Sequence, residues 1–109
     1  QTLPRIDESE GEVYVADLMD NTQLGYKYFD FQAIRKISIA YRGTGSGTLE
    51  VRIKENGDVV GTIPVRPSLQ WTQADAKVKL DGVHPLFLRF RGKGEIDLHA
   101  ISFSKEETV

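Results

Sequence analysis

The chain has 109 residues, 39% of them hydrophobic and 28% charged, a formal net charge of −2 and no cysteine. Such a length and balance describe one folded domain, residues 1–109, with a single core and largely polar ends at 1–12 and 104–109. The charge excludes a phosphate-tracking nucleic-acid binder, no apolar run nears the ~20 residues of a membrane span, and without thiols there is no disulfide framework or cysteine nucleophile. No signal-peptide pattern opens the sequence, so a secreted parent is expected to have lost its leader or to carry it upstream.

Residues 1–12, QTLPRIDESEGE, are polar and acidic after a short segment at 2–6 that can add an edge strand. Glu8, Glu10 and Glu12 carry oxygen donors that a calcium ion would take, but a run of this kind reads first as a solvated lead-in. Residues 13–18 form a short strand, and Asp20-Asn21-Thr22 is a turn signal. The aromatic-dense YKYFDF at 26–31 suits a strand packed across a sheet face. From 34 to 42, Ile37, Ile39 and Tyr41 alternate with Ser38, Ala40 and Arg42, which is the period of a half-buried strand.

The glycine-rich GTGSGT at 43–48 lacks the Gly-Lys-Ser/Thr and following helix of a phosphate loop, so it is read as a hairpin connection. Leu49, Val51 and Ile53 then alternate, Asn56-Gly57 predicts a type I′ turn, and residues 59–65 form the returning arm. Pro64 and Pro67 predict that this arm ends at a sheet edge or runs into a loop. Residues 68–75, which include the single tryptophan Trp71, show no strand pattern and read as a loop; Ala76, Val78 and Leu80 make the next strand.

The segment 83–103 organises the rest. Leu86, Leu88 and Phe90 point one way, and Phe87, Arg89 and Arg91 the other. Gly92-Lys93-Gly94 supplies a hairpin turn to the return strand. Ile96 and Leu98 share one parity while Ile101 and Phe103 have the opposite, which predicts a bulge or bend near His99-Ala100. With eight or nine short strands at regular turn spacing and no helical period, the fold class is all-β: a two-sheet antiparallel β-sandwich.

Catalytic chemistry finds little support. Only His84 and His99 can supply an imidazole, neither lies near a nucleophile elbow, and no pair of acids stands out for glycoside hydrolysis. Sugar recognition needs exposed aromatic faces with a few orienting polar groups. Tyr26 and Trp71 can each serve as such a platform, or flank the core and plug one end of the sandwich respectively.

Several segments together resemble carbohydrate-binding module family 6, in the version found C-terminal to family 43 glycoside hydrolases. They are GYKYFDF at 25–31, LEVRIKENGDVVGTIPV at 49–65, Trp71 ahead of a strand, GVHPLFLRFRGKG at 82–94 and IDLHAISF at 96–103. The resemblance spans about residues 13–103 and implies a jelly roll, no catalysis of its own, an extracellular or secreted setting, and binding of xylan-like plant polysaccharide in a loop-end cleft. Its partners would be that glycan and an adjacent catalytic domain.

In that cleft Tyr26 matches one of two aromatic plates. The second falls at Ala74, three residues after Trp71, and the family's amide falls at or near Asp97. Carbohydrate-binding residues are therefore expected at Tyr26, Trp71, Gln73 and Asp97. The family's structural calcium is expected to be compromised: the opening strand lacks its Glu pair and His99 stands at its Asp position, leaving Glu10, Glu12 and Asp97 as the oxygen donors at hand. The lost plate and ligands motivate a second expectation, a structural domain that packs on the catalytic domain with sugar binding lost. A protein-binding sandwich is a third.

Overall fold

The computed structural model describes residues 5–6 and 9–105, with side chains from 15 onward. Its strands are β1 (Arg5–Ile6), β2 (Ser9–Leu18), β3 (Gln23–Gly43), β4 (Ser46–Arg52), β5 (Gly61–Val65), β6 (Ser68–Lys93) and β7 (Ile96–Ser104). All pairings are antiparallel except β1 with β3. The all-β antiparallel sandwich expected from the alternation is the fold observed. The strands are fewer and longer than the sequence suggests, because β3 and β6 form one long antiparallel ribbon that runs through both layers.

Residues 34–43 of β3 pair with 68–80 of β6 and, on the other side, with β7, which pairs in turn with β2. These make the first layer. Residues 23–31 of β3 pair with 82–89 of β6, whose far side pairs with β4 and then β5. These, with β1, make the second. The ribbon changes layer where its register slips between Phe31 and Ile34. There Ala33 takes a φ of 52° and Gly82 one of 83°, the left-handed region that lets a strand turn sharply.

Both inner faces converge on one core. Ile34, Ile37, Ile39 and Leu80 from the first layer meet Leu49, Ile63, Leu86, Leu88 and Phe90 from the second, all at 1% exposure or less. The predicted alternation of Leu86, Leu88 and Phe90 is thus inward. The break in β7 is found where parity required it. Tyr41 pairs with Leu98 and Ala40 with Ala100, which leaves His99 as an extra residue, so that Leu98 and Ile101 both reach the core.

Three local readings are corrected. Residues 68–75 are not a loop but the start of β6, with Thr72 opposite Tyr41 and Ala74 opposite Ile39. Their inward positions are small or polar, so the alternation carries no hydrophobic signal. The glycine-rich segment at 43–47 and the turn after Lys93 are not hairpins, since β3 does not pair with β4 nor β6 with β7. Both carry the chain from one layer to the other. They cross side by side, with Gly45 N–H donating to Glu95 O (3.0 Å) and Glu95 N–H to Thr44 Oγ1 (3.2 Å). A Cβ on Gly45 would lie 2.4 Å from Ile96 Cγ2, so only glycine allows that approach.

The Asn56-Gly57 hairpin does join two paired strands, but through a loop from 53 to 60 rather than a two-residue type I′ turn. Asn56 alone takes positive φ (63°), while Gly57 N–H closes the turn on Lys54 O at 3.0 Å. Pro64 lies, as expected, on the edge strand β5. Of the acidic lead-in, residues 9–12 belong to β2, and Glu8 lies outside the described residues.

Two stability measurements test this architecture. Ala33 is exposed and held at positive φ, so Ala33→Gly should raise unfolding free energy by up to about 1 kcal/mol in denaturant titrations. Tyr26 packs its ring against the core, and burial raises its phenol above the ordinary 10.0. The neutral phenol is the form the fold prefers, so its contribution is intact below pH 10.0 and lost as pH rises through the raised folded value. Alkaline melting curves should accordingly show a smaller loss of stability in Tyr26→Phe than in the parent.

Candidate carbohydrate-binding site

Four connections between the layers gather at one end of the sandwich: residues 19–22, 44–45, 66–67 and 94–95. They are laced together. Asp20 Oδ1 accepts from Gly92 N–H at 3.0 Å, Asn21 N–H donates to Phe90 O, and the buried Tyr41 hydroxyl accepts from Arg66 N–H (2.9 Å) while donating to Arg66 O (3.1 Å). A loop held by a buried hydroxyl is fixed in place, which a ligand site requires.

On the outer face of the first layer, next to this end, Trp71 of β6, Arg42 of β3 and Asp97 and His99 of β7 come together. The Arg42 guanidinium carbon stands 4.4 Å from the centroid of the Trp71 ring, a cation–π contact. His99 approaches the same indole with ring centroids 5.1 Å apart and a 40° tilt. Arg42 Nε also faces Asp97 Oδ2 at 3.7 Å, and Asp97 Oδ1 accepts from the Asp17 backbone N–H at 3.0 Å. The set is built by pairing: Arg42 lies opposite Asp97, and the bulge turns His99 outward beside it. Trp71 remains 39% exposed.

Gln73, one step along β6, is exposed on the same face as Trp71. It borders a cavity of about 480 Å³ at the free edge of β6, shared with Tyr41, Pro64, Arg66, Thr72 and Ala74. Ala74, where the family resemblance expects a second aromatic plate, turns inward and packs on the core. Small side chains at 72 and 74 leave the cavity open.

Of the four expected sugar-binding residues, the structure joins Trp71 and Asp97 through Arg42 and places Gln73 beside them. Tyr26 lies on the other layer, opposite Leu86, half-buried with its ring against the core. Arg42 and His99 complete the cluster. Arg42 carried no signal of its own in the sequence; its partner became visible only through the register of β3 and β7. His84 is engaged elsewhere, its Nε2 lying 2.8 Å from Asp81 O in the ribbon's bend. For a cation, the Asp97 carboxylate does not fit, since the Arg42 guanidinium already stands 3.7 Å from it and would repel a second positive charge. Glu10 and Glu12 have side chains outside the described residues, and among the described ones no group of three or more acids and histidines converges.

No family model matches the sequence. A xylosidase/arabinosidase from Thermoclostridium stercorarium is 38% identical over 97 residues, which is 88% of this chain and 20% of that protein. The chain therefore spans about one-fifth of the curated relative it matches. A glycoside hydrolase family 43 arabinoxylan arabinofuranohydrolase from Bacillus subtilis, solved with cellotetraose, matches 97% of the chain and 28% of its own length at TM-score 0.87 and 18% identity. A family 6 carbohydrate-binding module from Clostridium cellulolyticum, solved with xylose, matches 91% of the chain and 90% of its own length at TM-score 0.77 and 22% identity. At TM-scores of 0.87 and 0.77 over more than nine-tenths of the chain, the two-layer β-sandwich is the fold that the chain shares with these structures.

Proposed function

We propose that the domain is a non-catalytic accessory module of a secreted polysaccharide-degrading glycoside hydrolase, and that it binds xylan-like plant polysaccharide. The observation that carries this reading is the Trp71 cluster. An indole 39% open to solvent, steadied by Arg42 and His99, offers a flat apolar surface to the C–H face of a pyranose. Asp97 and Gln73 supply an acceptor and an amide for sugar hydroxyls, and the cavity of about 480 Å³ beside Gln73 has room for a neighbouring sugar unit. The xylosidase/arabinosidase and arabinoxylan-directed relatives support xylan-type chains as the class of glycan. The same relatives, both much longer than this chain, support an adjacent catalytic domain as its partner.

A second reading draws on Leu69, which is 98% exposed two residues before Trp71 on the edge segment of β6. That placement favours packing against a catalytic domain, with sugar recognition lost.

Calorimetric titration separates the two. Xylo-oligosaccharides should bind the domain with measurable heat, and Trp71→Ala should weaken binding about tenfold or more, the effect of removing a stacking platform. Absence of heat, with the parent enzyme losing thermal stability on deletion of the domain, would leave the structural reading standing instead.

A further inference from the structure

The outer face of the second layer holds a row that the Trp71 site does not use. Phe87, Arg89 and Arg91 alternate outward along β6, and the ladder sets Gln23 on one side of Arg89 and Glu50 on the other. Neither neighbour satisfies it. Glu50 Oε1 accepts instead from Arg52 Nη1 at 2.9 Å, and Arg52 Nε donates to Gly57 O at 3.0 Å. Arg91 is drawn to Asp20 at 3.6 Å.

Among the described residues Arg89 has no ion-pair partner. Its Nε is buried and unpaired, as is the Oε1 of Gln23 across the strand. A partly buried guanidinium without an acceptor is an unfavourable arrangement for the free domain. The buried Nε is out of a ligand's reach, but the two Nη groups are neither buried nor bonded, and a carboxylate arriving from outside could meet them end-on and supply the missing counter-charge.

The ground beside Arg89 says what kind of molecule would bring the carboxylate. Gly25 lies opposite Phe87 in the ladder, and even a Cβ there would come within 3.2 Å of the ring, so the ring lies close against the glycine backbone with no side chain at that position over it. Phe87, Pro85, His84 and the 54%-exposed Tyr28 wall a cavity of about 510 Å³ rimmed by Lys54 and Glu55. Positions 87 and 89 sit about 7 Å apart along a strand, close enough for one molecule to cover both.

We infer that this face binds saccharides bearing a carboxylate, with the uronic-acid group on Arg89 and the sugar rings over Phe87 and Tyr28. The inference rests on the carbohydrate-binding reading of the domain and adds a second face and a ligand class. An acidic protein segment would also satisfy Arg89, but it has no use for an aromatic floor beside the charge.

Titration of the folded domain with trigalacturonate, xylotetraose and poly-L-glutamate tests this, melting curves first confirming that each variant folds. Trigalacturonate should bind, weaken with added salt, and lose about tenfold or more in affinity in Arg89→Gln. Arg89→Lys, which keeps the charge but not the fork, should lose less, and it carries the test if Arg89→Gln does not fold. Xylotetraose binding should be unchanged by Arg89→Gln. Trigalacturonate binding that ignores position 89, or poly-L-glutamate binding equally well, would overturn the inference. Binding of xylotetraose but not trigalacturonate overturns this inference alone and spares the Trp71 site. Binding of trigalacturonate but not xylotetraose supports it and counts against that site, and binding of neither overturns both.

Discussion

A single antiparallel ribbon holds this domain together. Paired along nearly their whole lengths, β3 and β6 run through both layers of the sandwich, and the ribbon folds over on itself at Ala33 and Gly82. Every other strand is hung on it: β7 and β2 beside its first half, β4 and β5 beside its second, and β1 at the margin. Burial forces the bend. Flat, the ribbon would leave Ile37, Ile39 and Leu80 facing water on one half and Leu86, Leu88 and Phe90 on the other. Folded, the two sets close on each other with almost no exposure.

The bend also decides where function can sit. It places the layer crossings of residues 19–22, 44–45, 66–67 and 94–95 at one end, where glycines and a buried tyrosine hydroxyl pack them tightly. It turns the outward residues of both layers into two separate polar faces. On the first, an indole, a guanidinium, an imidazole and a carboxylate form a connected set. On the second, arginines share the face with an aromatic ring, and one of them, Arg89, has no ion-pair partner among the described residues. A rigid scaffold with two chemically distinct faces can contact one extended ligand at more than one point, with the gain in avidity that multivalent contact brings.

The cavity beside Gln73 exists because this edge of β6 carries small side chains. Where the family resemblance expects a second aromatic plate, Ala74 turns into the core and leaves a cavity. The residues around the Trp71 indole are held by contacts with it and with each other, so the ring is oriented by Arg42 and His99.

Alternation alone was enough to fix the fold class and much of the core: Ile37, Ile39, Tyr41, Leu86, Leu88 and Phe90 all point inward as their period demands. Parity also located the bulge at His99, because Leu98 and Ile101 cannot both be buried on a regular strand. Nothing in a period of two says which strand a strand will pair with, however. The glycine turns at 43–47 and after Lys93 have hairpin chemistry but serve as crossings, because the strands they join lie in opposite layers and meet across the core instead of pairing. Residues 68–75 escaped notice as a strand because Thr72 and Ala74 line an open edge, where no large apolar side chain is needed. Likewise Trp71 could be singled out by residue type, and Asp97 through the family resemblance. Their joining through Arg42, the withdrawal of Tyr26 to the other layer, and the unpaired charge at Arg89 depend on register between distant segments, which only tertiary structure sets.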